Sequence, residues 1–282
     1  MRPAVTVREV RPPARLPDAL RQSSSAKAQR FALPGDGKDL DYAWVVLKIE
    51  LHSHSNDDPH DLIPHSTFQL IDRAAELGYD ALAITLHDRQ LPVAPFAQYA
   101  TERGVTLIPG IERTIDGKHV LLLNFSRASE GVQSFHDLSR LKGREAGLVI
   151  APHPFFPTSS CLRGHMDVYH ELFDAVEYNG MFTETVNFNR AAERWAREHG
   201  KPLVGNGDVH RLEQMGPTYS LVDAEADAGA ICEAIREGRV RVKARPHSLF
   251  TAARIMGDLF AADLRRDLLR RQPSPDPAQV HQ

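Results

Sequence analysis

Histidine is written in pairs in this chain. His52-Ser53-His54 and Asp208-Val209-His210 are both i, i+2 combinations of metal-ligating residues. In an extended segment such residues point the same way, about 6.5 to 7 Å apart, so two imidazoles can converge on one ion at about 2.1 Å. His87, Glu112, His119 and His153 are further single candidates. The chain holds 14 histidines but only two cysteines, Cys161 and Cys232. Two thiols are too few for a disulfide framework or a thiolate zinc site, which makes a reducing cytosol the default compartment. The chemistry to look for is ion binding by imidazole and carboxylate.

The elements that must position these residues alternate regularly. Val45 to Leu51 is a short apolar, β-branched run, and Ser66 then opens apolar residues at helical spacing that stop at Gly78. Strands are expected at Ala81–Leu86, Val105–Ile111, Lys118–Phe125, Leu148–Ala151, Ala175–Tyr178 and Pro202–Val204. Helices are expected at Ala94–Glu102, Ser134–Glu145, His165–Phe173, Asn187–His199, Asp227–Glu237 and Leu249–Arg270. About seven strands alternating with helices point to an α/β barrel or a doubly wound sheet in one domain. The barrel is favoured, because the turn after the first strand reads His52-Ser53-His54-Ser55-Asn56-Asp57-Asp58 and carries no glycine-rich phosphate loop.

On a barrel, the histidines fall at the carboxyl ends of strands, where such folds carry their active sites. His52 and His54 end the first strand, His87 the second, Glu112 the third, His153 a later one and Asp208 with His210 another. His119 starts the strand after Glu112 and reaches the same rim if those two strands form a hairpin. Counting one histidine of the first loop, seven histidines, one Glu and one Asp share that rim. Packing so many ionisable groups together without a cation would cost several kcal/mol. Imidazole with carboxylate suits Zn, Mn or Fe, and nine ligands exceed what one ion uses, so two or three divalent ions are expected. Clustered ions of this kind commonly serve phosphoester hydrolysis, lowering the pKa of a bound water so that metal-bound hydroxide is the nucleophile.

Taken in order, these segments resemble the PHP (polymerase and histidinol phosphatase) superfamily. Leu51-His52-Ser53-His54-Ser55 resembles its first motif, Ala81 to Asp88 the second, and Pro109-Gly110-Ile111-Glu112 the third with His119 downstream. His153-Pro154 and Gly207-Asp208-Val209-His210 resemble the last two. The likeness runs from Val46 to His210, more weakly through Arg239. It implies a distorted (β/α)7 barrel and a trinuclear centre. His52, His54, Glu112 and Asp208 would hold one ion, Glu112, His119 and His153 a second, and His87, His210 and a first-loop residue the third. That loop residue reads as His60, with Asp57, Asp58, Asp61 or His65 as alternatives. One departure is Leu86, where the family usually writes an aspartate before the histidine of its second motif; support for His87 would then be lost or move to Asp88.

Phosphate recognition calls for cations beside the ions, and Arg113, Arg163 and Arg211 are the candidates, with Arg89 nearby. Asn179, in Glu177-Tyr178-Asn179, is a candidate pocket residue. The expected activity is hydrolysis of a small-molecule or nucleotide phosphomonoester. An exonuclease or oligonucleotide phosphodiesterase using the same site, or a non-catalytic metal-binding module, is the alternative. Lys+Arg number 34 against 37 Asp+Glu, a net charge of −3, which argues against long nucleic acid or a membrane surface as partner. No apolar run is long enough to span a membrane. The expected organisation is a flexible leader over 1–44, the barrel over 45–245, a packed helix over 246–272 and a disordered tail over 273–282. An organellar transit peptide would share the leader's arginines and serines, but Glu9 and Asp18 argue against one.

Overall fold

The computed structural model describes residues 46–258 and 261, so the expected leader and tail lie outside the described residues. Its strands are β1 (Val46–Glu50), β2 (Ala81–Ile84), β3 (Thr106–Ile115), β4 (Lys118–Leu123), β5 (Leu148–Ala151), β6 (Ala175–Asn179), β7 (Leu203–Asn206), β8 (Thr218–Asp223) and β9 (Val240–Ala244). The helices are α1 (Thr67–Glu76), α2 (Ala94–Thr101), α3 (Phe135–Lys142), α4 (His165–Val168), α5 (Asn189–Glu198), α6 (Ala228–Arg236) and α7 over 249–258. Local chemistry explains the boundaries. Ser66 and Gln69 form a reciprocal capping box at the start of α1, and Asp227 accepts from the first N–H groups of α6.

One sheet contains all nine strands in the order β7-β6-β5-β4-β3-β2-β1-β8-β9. β1, β2 and β3 run parallel, as do β5, β6 and β7, while β4 and β8 are antiparallel to their neighbours. β9, antiparallel to β8, therefore runs with β1, and seven parallel strands with two antiparallel insertions make up the distorted barrel. The ends of the sheet meet without a backbone ladder. Instead the Ser220 hydroxyl on β8 accepts from the Gly205 N–H at 2.8 Å and donates to the Gly205 carbonyl at 3.1 Å on β7. The approach demands glycine, since a Cβ at position 205 would lie 2.8 Å from the Tyr219 carbonyl oxygen and from Val242.

The interior is apolar below and ionisable above. Ile231 and Ile235 of α6 pack against Leu47, Ala81, Ile108, Ile150 and Val204 from around the barrel, closing one end. α1 and α2 cover Leu82 and Ile84 on the outside, and α3 and α5 cover Val149 and Val176. Two strands were not anticipated, β8 and β9, and β3 runs four residues past Ile111 to complete the hairpin with β4, where Thr114 pairs His119. α7 occupies part of the helix expected over 246–272, with Ile255 wholly buried. Among the described residues no helix is long and apolar enough to cross a membrane.

Candidate metal centre

Glu112 is the hub. It lies inside β3, 1% exposed, and its two oxygens divide the imidazoles between them. Oε1 faces His119 Nδ1 at 2.7 Å and His153 Nε2 at 3.2 Å. Oε2 faces the Nε2 atoms of His87, His52 and His54 at 3.1, 3.2 and 3.4 Å. Asp208 adds Oδ1, 3.3 Å from His52 Nε2 and 3.4 Å from His210 Nδ1. The β3–β4 hairpin brings His119 to the rim, as expected. Donor atoms gather in four overlapping groups: His52 with His54 and Glu112, His52 with His153 and Asp208, His87 with Glu112 and His119, and His54 with His87 and His210.

This donor set fits cations. His52 Nε2, His54 Nε2 and Asp208 Oδ1 are buried and make no hydrogen bond, although Asp208 Oδ1 lies 3.3 Å from His52 Nε2 and 3.8 Å from His54 Nε2. Buried polar atoms that converge without hydrogen-bond partners are costly unless an ion takes them. The charges are tuned by proximity. Burial pushes the Glu112 carboxyl up, but His119, His52 and His87 outweigh it and hold it well below the usual carboxylate range. Burial lowers His210, yet Asp208 and Asp61 raise it to about 10. His54 goes the other way, to about 4, through burial and the neighbouring His210 and His87.

A layer of polar groups beneath the donors sets their direction. Glu177 accepts from His52 Nδ1 at 2.8 Å, from the His153 N–H at 2.8 Å and from the side chains of Asn179 and Asn206. With Nδ1–H directed at Glu177, the Nε2 lone pair of His52 faces the centre. Asp58 Oδ2 does the same for His54 Nδ1 at 3.1 Å and His87 Nδ1 at 3.0 Å, and also takes the His87 N–H. Asn179 donates to Asp208 Oδ2 at 3.1 Å. Cys161 Sγ lies 3.4 Å from His153 Nδ1. Two donors also sit on left-handed backbone, His153 at φ 30° and Asp208 at φ 51°, a local cost of the kind that collects at functional sites.

Three of the expected residues are placed away from the roles expected of them. His60 is not among the grouped donors; its Nε2 turns to Asp88 at 3.3 Å with the side chain 45% exposed. Of the alternatives, Asp61 reaches His210 Nε2 at 3.2 Å, Asp58 lies below the rings, and His65 donates to the His54 carbonyl. Asp88 does not support His87, because it is taken up by Arg113, by Thr114 and by His60. Arg113 is accordingly tied down, at 2.7 Å to Asp88 and 2.6 Å to the Val132 carbonyl, and is not free for phosphate. Among the described residues, Arg163 donates to the Phe156 carbonyl and pairs with no carboxylate, and Arg211 beside His210 forms no ion pair.

A family model described as PHP-associated matches residues 186–240, a stretch that includes Asp208 and His210. A two-domain protein from Bacteroides vulgatus, containing a predicted PHP-like metal-dependent phosphoesterase, superposes with a TM-score of 0.58 at 22% identity, covering 74% of this chain and 67% of that one. The chain shares the fold of that PHP-like protein. Looser likenesses are to a lesion-specific endonuclease of Pyrococcus furiosus (16% identity, 70% and 57% covered, TM-score 0.46) and to an amidohydrolase of Chromobacterium violaceum solved with bound SO4 and no metal (16%, 76% and 96%, 0.46). No curated protein matches the chain. At these identities the likeness is one of fold. The residues singled out by the sequence motifs converge here, whereas Asp58, Glu177, Glu50 and Cys161, which support them, were missed. Glu177 carried a usable signal, a carboxylate two residues after inward-facing Ala175 in a short strand that opens Ala175-Val176.

Proposed function

We propose that the chain is a metal-dependent phosphoesterase acting on a small-molecule or nucleotide phosphomonoester. The observation that carries this reading is Glu112, a buried carboxylate whose two oxygens each face a separate set of imidazole nitrogens within 3.4 Å. A shared carboxylate of this kind suits neighbouring divalent ions, with Mn, Zn or Fe as the candidates for this donor set. His52, His54, Glu112 and Asp208 would hold one ion, Glu112, His119 and His153 a second, and His87 with His210 a third, for which Asp61 is now the better loop ligand. When bound, such ions polarise phosphoryl oxygens and acidify water.

The protein's own contribution is direction and charge. Glu177 and Asp58 fix the ring orientation of His52, His54 and His87, so the donor atoms need not reorganise when an ion enters. Asn179 holds Asp208 from behind. Arg163 and Arg211 remain as cations for the phosphate, since neither is engaged by a carboxylate among the described residues.

The test is phosphate release by Mn²⁺-loaded protein across a panel of phosphomonoesters and phosphodiesters. Release from monoesters is expected. Turnover of diesters alone would replace this reading by the nuclease alternative, and no turnover of any ester at full metal loading would leave a metal-binding module.

A further inference from the structure

Two phenylalanines stand at the mouth of the centre with no part in the core. In the loop after β5, Phe155 packs against the outer core, and its neighbour Phe156 is half-buried beside His153. In the loop after β6, Phe188 immediately precedes α5 and keeps 39% of its surface exposed. The two rings meet across the loops at 5.2 Å between centroids, tilted by 51°. Phe156 in turn meets the His153 imidazole edge-on at 6.3 Å. A pair of rings therefore begins at a metal-ligating side chain and ends in solvent.

Its position relative to the donors is fixed. Asn189, the residue after Phe188, clamps both backbone groups of Asn179: its Oδ1 accepts the Asn179 N–H and its Nδ2 donates to the Asn179 carbonyl, each at 2.9 Å. The Asn179 side chain donates to Asp208 Oδ2. Phe188 is thus one residue from an amide locked to the group that holds a donor carboxylate. On the other loop, Arg163 donates Nε and Nη2 to the Phe156 carbonyl at 3.3 and 3.1 Å. Its guanidinium is held on the backbone of Phe156 without a carboxylate partner among the described residues.

A molecule that uses this arrangement has an anionic end for the donor rim and Arg163, and a flat apolar end for the rings, joined by a short polar spacer. A nucleotide has that construction. We propose that Phe156 and Phe188 form a stacking shelf for the base of a nucleoside monophosphate, which makes nucleotides the substrate class. The proposal rests on the phosphoester reading above and narrows it. A π face accepts any base, so the shelf selects for the presence of a base over its identity.

The test compares two probes on the full chain, a nucleoside 5′-monophosphate and the corresponding pentose 5-phosphate, by equilibrium binding and by kcat/KM in Mn²⁺. The wild type is expected to favour the nucleotide by about 5- to 150-fold, the range that stacking on aromatic side chains gives. Phe188→Ala and Phe156→Ala should each pull that ratio toward one, and Phe188→Trp should restore it. Equal treatment of the two probes by the wild type, with both hydrolysed, would overturn the shelf and leave the phosphoesterase reading standing. A nucleotide preference that survives both alanine variants would overturn it as well. If neither probe is bound or hydrolysed, the shelf falls, and the wider ester panel decides the phosphoesterase reading separately.

Discussion

Replacing Glu50 with glutamine should stabilise the metal-free protein, by an amount that grows with pH. Glu50 is wholly buried at the end of β1 and accepts from the His52 N–H at 3.1 Å and from the Gly207 N–H at 2.9 to 3.0 Å. Burial pushes its carboxyl up from 4.5 to about 8, against the pull of those two N–H groups. Between these values the unfolded chain has released a proton that the folded chain retains, so stability falls as pH rises through the window and the loss is complete above about 8. At 1.36 kcal/mol per unit, the cost grows from about 1 kcal/mol at pH 5 to about 4 kcal/mol at pH 8. Glutamine keeps an acceptor oxygen for His52 and Gly207 and has no proton to lose. Urea unfolding of wild type and Glu50→Gln in excess chelator at pH 5, 6, 7 and 8 reads the difference directly, the chelator being needed because a cation nearby would favour the carboxylate. A stability difference that is flat with pH, or that shrinks as pH rises, would refute the reasoning.

Asp58→Ala should weaken metal binding by about 10- to 100-fold, because the carboxylate that directs the rings of His54 and His87 is removed; competition against a chelating dye measures it, and unchanged affinity would show that the rings orient themselves. Metal loading at pH 7 should release more than one proton. Asp208 and Asp61 raise His210 to about 10 against the effect of burial, and His52 and His153 are likewise raised by surrounding groups, so protons held below those values must leave when an ion enters and binding must strengthen with pH. Calorimetric titration in two buffers of different ionisation enthalpy reads the count, and zero release would contradict the charge assignments. Ser220→Ala should cost about 1 to 3 kcal/mol, since it leaves the buried Gly205 N–H and carbonyl without their partner at the seam of the barrel; a shift in the denaturation midpoint checks it.

The inner donors were legible because they stand at strand ends in a recurring residue pattern. His52, His54, His87, Glu112, His119, His153, Asp208 and His210 all reach one centre. The first-loop side chain that faces His210 was not, since the path of residues 55 to 66 decides between His60 and Asp61, and side-chain spacing in an irregular loop carries no fixed direction. β8 escaped notice because its inward residues are Thr218, Ser220 and Val222, two hydroxyls and one valine, which blunts the hydrophobic alternation that announces a strand. β9 is five residues with Arg241 and Lys243 facing out. The supporting carboxylates depend on register across distant strands: Glu177 on β6 meets His52 from β1 only once the barrel has closed.

The central claim is that the rim of imidazoles around Glu112 holds divalent ions. Elemental analysis of the purified wild type and of the His52→Ala/His54→Ala double variant tests it most directly. Two or three equivalents of metal in the wild type and a marked loss in the variant are expected. A wild type without bound metal after loading, or a variant of unchanged stoichiometry, would contradict the account.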